Sequence, residues 1–318
     1  MGNLNYNHGI VTVVDEDAPG TAEVPVGGDG GIIVSNISYN PNPKPIERDA
    51  IISSKGQIAA LMSPAWEPTI EFDTELKGSG SVGVPPLVGE ILKAANFSET
   101  IDASSPPANV VYELNGADDH KTLAWDIKDD DGVSNGLRFL VYGALCGISL
   151  SLGIERPGSL RVRALGKYQA VSDVAPLTPT LELIKPPFFI GGTATFDGTA
   201  LNIREFSLDL NPELFLVPKL SDAQGFDKAR IGKLRPTYTL VLELPKVATK
   251  DLFGLMRSAT ESALAISTPA VAGNTLAIAA SRLQITNIVP SDDRGIVLAT
   301  VTGPVNFGGA SHFKITMT

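Results

Sequence analysis

The segment Thr-Ile-Glu-Phe-Asp-Thr-Glu-Leu-Lys at residues 69–77 alternates between two kinds of side chain. In an extended chain successive side chains point to opposite faces, so this period of two separates the residues into two rows. One row is apolar or small and consists of Ile70, Phe72, Thr74 and Leu76. The other row is charged and consists of Glu71, Asp73, Glu75 and Lys77. The pattern predicts a β-strand with one buried face and one charged face exposed to solvent.

The segment that follows the strand contains Gly78-Ser79-Gly80-Ser81-Val82-Gly83, which matches the G-x-G-x-x-G pattern of dinucleotide-binding loops. However, the first strand of such a fold is buried on both faces, whereas residues 69–77 have a charged face. Pro85-Pro86 also separate the glycines from an apolar run with helical spacing, which predicts a short helix over 86–97. A connecting loop is therefore favoured over a nucleotide site.

The composition is typical of a β-rich globular protein. Of 318 residues, 43% are hydrophobic and 6% aromatic, enough for a substantial core, and 31 glycines and 23 prolines interrupt short runs rich in Val, Ile and Thr. The apolar run from Phe139 to Ile154 predicts a long buried strand, being too short for a membrane span. The expected fold is mainly β, a sandwich or barrel-like domain with one short flanking helix. A second helix is possible over 249–266, with Thr249 as its cap, and a strand is expected over 283–288.

The N-terminal fifty residues predict an extended arm. Pro41, Pro43 and Pro45 at alternate positions keep the backbone extended and remove hydrogen-bond donors. The short apolar run Ile32, Ile33 and Val34 is the candidate for contact with a neighbouring molecule. Residues 1–50 are therefore assigned to the arm and residues 51–318 to one β domain.

A second acidic feature is a hairpin that turns through Asp129, Asp130, Asp131 and Gly132. The spacing of its carboxylates excludes an EF-hand, because Ile127 would occupy the first ligand position. A solvent-exposed tip is the expected structure, and weak cation binding by the carboxylates is the alternative. Further along, Glu205 and Asp209 lie among the alternating apolar residues of a strand predicted over 201–210.

The net charge of −10 argues against sequence-specific nucleic-acid binding, because phosphates would be repelled. The charge is also uneven, since residues 1–135 contain 21 acidic and 7 basic side chains and residues 136–318 contain 14 and 18. Either this asymmetry has no role, or oppositely charged faces of successive copies meet in a head-to-tail assembly.

No arrangement of residues predicts catalysis. The three histidines are far apart in sequence, the single cysteine, Cys146, lies in an apolar run, and the N-terminus lacks the features of a secretory signal. We therefore expect no enzyme activity, no cofactor, no metal and no membrane insertion.

Several motifs occur in an order that resembles the tail tube proteins of siphophages, the bacteriophages with long non-contractile tails. They are Ile46–Asp49, Glu71–Gly80, Pro85–Thr100, Leu137–Gly147, Gly166–Asp173 and Gly198–Leu210. In that family an E-L-x-G-x-G element leads through a proline-containing loop to a helix and a G-F-x-E-T-like segment, although here Asn96 replaces the usual glycine. Residues 246–318 match less clearly.

The resemblance implies a structural virion protein that forms stacked hexameric rings around a channel for DNA ejection. Glu71, Asp73, Glu75, Glu205 and Asp209 would then face the lumen, and the hairpin at Asp129–Gly132 would contact the next ring. The implied partners are further copies of the chain and the tape measure, terminator and distal tail proteins, with DNA as a transient, non-specific cargo. The protein would fold in the host cytoplasm before it joins the virion tail.

Three alternatives remain open: another tube-like component such as a distal tail or secretion-tube subunit, a carbohydrate-binding β-sandwich, and a nucleotide-dependent enzyme that uses the Gly78–Gly83 loop.

Overall fold

A computed structural model describes residues 4–46, 62–115, 117–129, 135–175, 177–308 and 313–318. The fold is mainly β, with 56% of residues in strands and 5% in helices, as the sequence predicts. The first half contains β1 (Leu4–Asp15), β2 (Gly30–Ile32), β3 (Val34–Asn40), β4 (Pro43–Ile46), β5 (Met62–Trp66), β6 (Thr69–Glu75), α1 (Val88–Ala94), β7 (Phe97–Asp102), β8 (Asn109–Leu114), β9 (Lys121–Asp129), β10 (Gly136–Gly153) and β11 (Ser159–Tyr168).

The second half contains β12 (Ser172–Val174), β13 (Thr180–Leu181), β14 (Thr193–Phe196), β15 (Thr199–Ala200), β16 (Ile203–Asp209), β17 (Pro212–Pro218), β18 (Phe226–Leu234), β19 (Thr237–Glu243), α2 (Leu252–Ser258), β20 (Glu261–Ser267), β21 (Leu276–Gln284), β22 (Asn287–Asp293), β23 (Ile296–Pro304) and β24 (Phe313–Met317).

Strand β10 is the longest strand of the described residues and belongs to two substructures. Its first half pairs with β9 on one edge, and β11 occupies the other edge. From there β9 pairs with β1, β11 pairs with β6, and β6 pairs with β3. Since β2 pairs with β1 and is separated from β3 only by Ile33, these strands close into a barrel. We call the Gly136 end of β10 the upper end and the Gly153 end the lower end.

The second half of β10 continues into a sandwich. Below the region that pairs with β9, the same edge of β10 pairs with β16, and the sheet extends through β19 and β23 to β22. A second sheet has the order β15-β14-β20-β21-β24-β8-β7. One continuous cluster of buried apolar side chains joins the barrel interior to the space between the sheets. The alternation along β10 and β16 explains this packing, because every second side chain points into the cluster.

The hairpin β17–β18 covers the upper part of the opposite, outer face of the large sheet. Leu216, Phe226 and Ala229 of the hairpin form a separate buried cluster with Leu145 of β10 and Leu165 of β11. The ion pair between Lys167 of β11 and Asp222 of the hairpin loop, at 2.6 Å, holds the loop near the upper end. Below this cluster the outer face is not covered by the hairpin.

Three strands of the predicted N-terminal arm, β1, β2 and β3, are instead part of the barrel. Strand β1 pairs along its length with β9, because Val11 and Val13 supply apolar side chains to the core opposite Trp125 and Leu123. Only β4, with its alternating prolines, forms a small separate sheet with β5. The boundary expected at residue 50 lies outside the described residues.

Other boundaries also differ from the sequence prediction. The helix expected over 249–266 is confined to α2, where the Asp251 carboxylate, rather than Thr249, accepts a hydrogen bond from the Gly254 amide at 2.8 Å. Ala259 ends the helix in a left-handed conformation, and β20 follows because Ser262, Leu264 and Ile266 alternate inward. The residues expected to form one strand over 283–288 instead include the end of β21, a turn and the start of β22.

The helix α1 spans Val88–Ala94 rather than 86–97, and β6 ends at Glu75. Lys77 follows the end of β6 and is buried, so it is not part of the exposed charged row that the sequence predicted. Its ammonium group donates a hydrogen bond to the Glu182 carbonyl at 2.7 Å. The apolar face of α1 packs beside β7, where Ile91 and Leu92 are fully buried.

Candidate functional site

The large sheet carries a continuous polar surface on the uncovered lower part of its outer face, and we call it the polar face. Paired residues of adjacent strands point to the same side of a sheet, so the strand register identifies its members. One row runs from Asp73 through Arg161, Ser149 and Asp209 to Thr237. The polar face comprises Glu71, Asp73, Glu75, Ser149, Ser151, Ser159, Arg161, Arg163, Glu205, Ser207, Asp209, Thr237, Thr239, Thr300 and Thr302.

All five candidate lumen-facing acids lie on this face. Glu71, Asp73 and Glu75 are half-exposed on β6, while Glu205 and Asp209 are exposed on β16, three strands away. Their neighbours in sequence, such as Phe72 and Phe206, are buried in the core and fix the orientation of both strands. The structure therefore brings together two groups of acids that are far apart in sequence.

The polar face also contains two arginines that were not singled out from the sequence. Arg161 and Arg163 on β11 lie beside β6, and both approach the Glu71 carboxylate, at 3.6 and 3.4 Å. Asp73 accepts a hydrogen bond from the Asn36 side chain at 2.8 Å, and Glu75 lies 3.8 Å from the Lys77 ammonium. The alternation of β11, with Leu160, Val162 and Ala164 buried, contained the signal that both arginines point outward.

The remaining members of the polar face are short hydroxyl side chains. Serines of β10 and β16 and threonines of β19 and β23 occupy much of the surface between the acids of β6 and the far edge of the sheet, and Val241 of β19 lies among them between Glu205 and Thr300. Their hydroxyl groups are uncharged and reach only a short distance from the backbone. With five acids and two arginines, the face has an excess of three negative charges.

A cavity of about 360 Å³ lies where the polar face meets the start of the covering hairpin. It is lined by the charged side chains of Glu71, Arg161, Arg163 and Asp209 and, from the hairpin side, by Pro212. Pro212 lies directly over Gly147 of β10, where a Cβ atom would come within 2.8 Å of the proline ring. Gly147 therefore allows the hairpin to start close to the sheet.

The outer face above the cavity contains a buried ion pair. Arg138 of β10 donates two hydrogen bonds of 2.7 Å to the two carboxylate oxygens of Asp126 on β9, and both side chains are less than 10% exposed. This bidentate geometry satisfies both charges away from water, unlike the longer contacts between Glu71 and the arginines.

The upper end differs from the expected acidic tip. Asp129 is buried at the end of β9, opposite Leu4 of β1, and is not available for contact with another molecule. The strand pairing of β1 with β9 accounts for this burial. Asp130, Asp131 and Gly132 lie outside the described residues. Of the arm candidates, Ile32 is buried in the core, Val34 is partly buried against it and Ile33 is 42% exposed, so only Ile33 remains a contact candidate.

The glycine-rich loop is engaged within the fold. The Gly78 amide donates to the Asn274 side chain and the Gly80 amide to the Gly273 carbonyl, both at 2.9 Å. These amides therefore point to another loop of the chain rather than to an open phosphate site. Carbohydrate-binding modules often use exposed tryptophans, but here Trp125 is buried, and Trp66 packs against the Tyr168 ring at 4.5 Å.

A buried lysine next to α1, Lys121, forms a network of ion pairs. Lys121 is 1% exposed and forms ion pairs with Asp15, with Glu90 at 2.9 Å and with Asp119 at 3.0 Å. Burial opposes its charge, but the hydrogen bonds and the attraction of these carboxylates outweigh burial and raise the pKa of Lys121. The ion-pair network links β1, β9 and α1, and it lies away from the polar face.

Comparison with known proteins leaves the family unassigned, because neither a scan against protein-family models nor a search of curated proteins finds a match. Among the described residues, no helix has the length and apolar character required to cross a membrane.

Proposed function

We propose that this chain is the major tail tube subunit of a long-tailed bacteriophage, which assembles into stacked hexameric rings with the polar face toward the channel. The observation that carries the proposal is the polar face itself. Its five acids come from two separate strands, and they share one broad, hydroxyl-rich surface whose reverse side is core. The proposed family and ring symmetry rest on the resemblance of the ordered sequence motifs.

The composition of the polar face suits the transport of DNA without binding. An excess of acids repels phosphates, and serine and threonine hydroxyls offer no fixed positive charge. Arg161 and Arg163 are the cations of the face, and both lie near Glu71, which reduces their attraction for a phosphate. The channel wall would thus combine weak repulsion with short, uncharged side chains.

The direct test is electron microscopy of the purified chain at increasing concentration, together with light scattering. Rings and tubes of constant diameter support the proposal, and we expect assembly to weaken in high salt because charged surfaces meet between copies. A chain that stays monomeric at every concentration and salt would contradict it.

A distal tail or secretion-tube component remains the second candidate within structural proteins. Assembly length separates the two, since a tail tube subunit grows into long tubes, whereas a distal tail component stops at a ring or a short stack.

A further inference from the structure

Three loops of the chain contain no charged residue, and we call them the uncharged loops. They are residues 78–86 after β6, residues 186–192 before β14 and residues 268–275 between β20 and β21, with lengths of nine, seven and eight residues. Because 19% of the chain is charged, these 24 residues would contain about five charged side chains at average composition. Depletion of charge on a surface is typical of the centre of a protein–protein interface.

The uncharged loops form one surface at the lower end of the molecule. The Gly80 amide donates a hydrogen bond to the Gly273 carbonyl at 2.9 Å and so joins the first loop to the third. The Asn274 side chain of the third loop donates to the carbonyl of Lys185, immediately before the second loop, at 2.8 Å. The second loop lines a cavity together with Gly153, the last residue of β10. All three loops are therefore fixed beside the lower end of β10.

Large apolar side chains project from this surface into solvent. At 40% to 78% exposure, six of them form what we call the apolar patch, five from the uncharged loops and one just before the second loop: Val82, Val84, Leu183, Phe188, Ile190 and Val271. At about 150 Å² for a fully exposed side chain of this size, the six present roughly 500 Å² of apolar surface. The largest apolar patch on a monomeric protein is about 300–600 Å² and is often functional.

The charged residues around the apolar patch lie at its margin or are engaged within the fold. Lys77, just before the first loop, is buried and donates a hydrogen bond to the Glu182 carbonyl at 2.7 Å. Lys185 is exposed at the start of the second loop, and Glu155 and Arg156 are exposed in the turn after β10. The surface thus has an apolar centre and a polar rim, as protein–protein interfaces do.

The area and the composition of the apolar patch point to another copy of the chain as its occupant. A standard interface buries about 800 Å² on each partner, of which about 60% is apolar. The roughly 500 Å² of the patch therefore matches the apolar share of one complete interface. Permanent interfaces between identical subunits are also more apolar than those of transient complexes, and the uncharged centre of this surface agrees with permanent self-association.

We propose that the apolar patch is the surface through which the lower end of one copy packs on the next copy in the tube. Since a tube grows by repeating one contact, the patch meets a different surface of the next copy and does not close a two-fold dimer. This inference rests on the proposed tail tube, and it identifies one of the two surfaces through which its subunits stack.

A charge placed within the apolar patch tests the contact. Phe188→Glu changes a half-exposed side chain, so we expect the unfolding midpoint in urea to stay at the wild-type value. The concentration needed for assembly should rise about 10-fold or more, the effect of losing one buried aromatic contact at an interface. The matched control is Phe253→Glu on α2, because Phe253 is similarly exposed, at 42% against 51% for Phe188, and lies outside the patch. Wild-type assembly by Phe188→Glu, or an equal loss in the control, would overturn the proposal.

Mixing the variant with the wild-type chain tests the direction of the contact. A small fraction of Phe188→Glu should shorten the tubes, because the variant joins a growing end through its unaltered surfaces and then offers no patch to the next copy. If the patch met the same patch of another copy, the variant would be excluded and tube length would not change, which contradicts the repeating contact. Wild-type tubes that Phe188→Glu does not affect contradict only this contact, whereas a wild-type chain that never assembles contradicts the proposed function as well.

Discussion

The upper and lower parts of the outer sheet face are formed by the same two strands, β10 and β11, but the hairpin covers only the upper part. In the upper part Leu145 of β10 and Leu165 of β11 are apolar, and the hairpin covers them. In the lower part Ser149 and Arg161 replace them at the equivalent outward positions, and the face is left uncovered by the hairpin. The difference shows that a change of side-chain chemistry along one strand decides where a covering element ends and where an open surface begins.

The largest difference between the two parts is expected in how much their ion pairs contribute to the free energy of unfolding. Replacing Asp126 with Ala leaves the buried Arg138 charge without its partner, and we expect a loss of about 3–5 kcal/mol in the free energy of unfolding. The matched change in the lower part, Glu71→Ala, should cost about 0–1 kcal/mol because its arginines are exposed. Urea denaturation of the two variants measures both values, and equal losses would contradict the distinction.

Apolar and hydroxyl positions on β10 provide the next comparison. Leu145→Ala removes a fully buried side chain from beneath the hairpin and should cost about 2–5 kcal/mol. Ser149→Ala, two outward positions lower, should change the free energy of unfolding by about 0.5 kcal/mol or less. A large loss in the serine variant would show that the lower part is also packed against something.

The charge of the lower part can be reversed with little expected loss of stability. Exposed charges contribute about 1 kcal/mol or less apiece, so Glu71→Lys, Asp73→Lys and Glu75→Lys together should leave tubes of normal appearance. Removal of Glu71 also leaves Arg161 and Arg163 free to attract phosphates. We therefore expect the tubes to retain DNA at low salt and to release it as salt rises.

DNA passage or retention by purified tubes measures this effect. The control replaces Asp17 and Asp118 with Lys, since both are exposed and lie off the polar face. Equal DNA retention by wild-type, control and triple-lysine tubes would show that the polar face does not line the channel.

The smallest effect is expected at the ion pair that holds the hairpin loop. Burial disfavours the charged form of Asp222, but the hydrogen bond and attraction of Lys167 outweigh it and lower the pKa of the carboxyl below its usual value. The stabilisation is therefore present above about pH 4 and is lost as the pH falls further, when the carboxyl becomes protonated. Asp222→Asn should remove this pH dependence. The check is the unfolding midpoint of variant and wild type between pH 7 and pH 3. The wild type should be the more stable at pH 7, and the difference between the two should shrink as the pH falls.

The sequence predicted features that depend on local alternation. The period of two at residues 69–77 correctly placed Phe72 inside and Glu71 outside, and the uncharged run through Cys146 correctly predicted a long buried strand. The sequence did not predict structure that depends on pairing with strands distant in the chain. Residues 4–15 were assigned to an arm because nothing nearby in sequence indicates their pairing with β9.

The candidate site shows the same limit. The sequence identified Glu71, Glu205 and Asp209 individually as acids that point outward. It could not show that they share one face with Arg161 and Arg163, because that depends on the order of strands β6, β11, β10 and β16 in the sheet. Alanine-rich residues 262–266 have good helix propensity, and the sheet contacts of Leu264 and Ile266 override it.

The long-range strand pairs also affect how the chain folds during synthesis. Val11 pairs with Trp125, and Lys314 pairs with Glu113 roughly 200 residues earlier, so loop closure precedes both contacts and slows folding. Until residues 313–317 leave the ribosome, β8 and β21 present unpaired edges to other nascent chains. The second sheet is therefore complete only after residues 313–317 have been synthesised, which would delay the entry of the proposed tube subunit into an assembly.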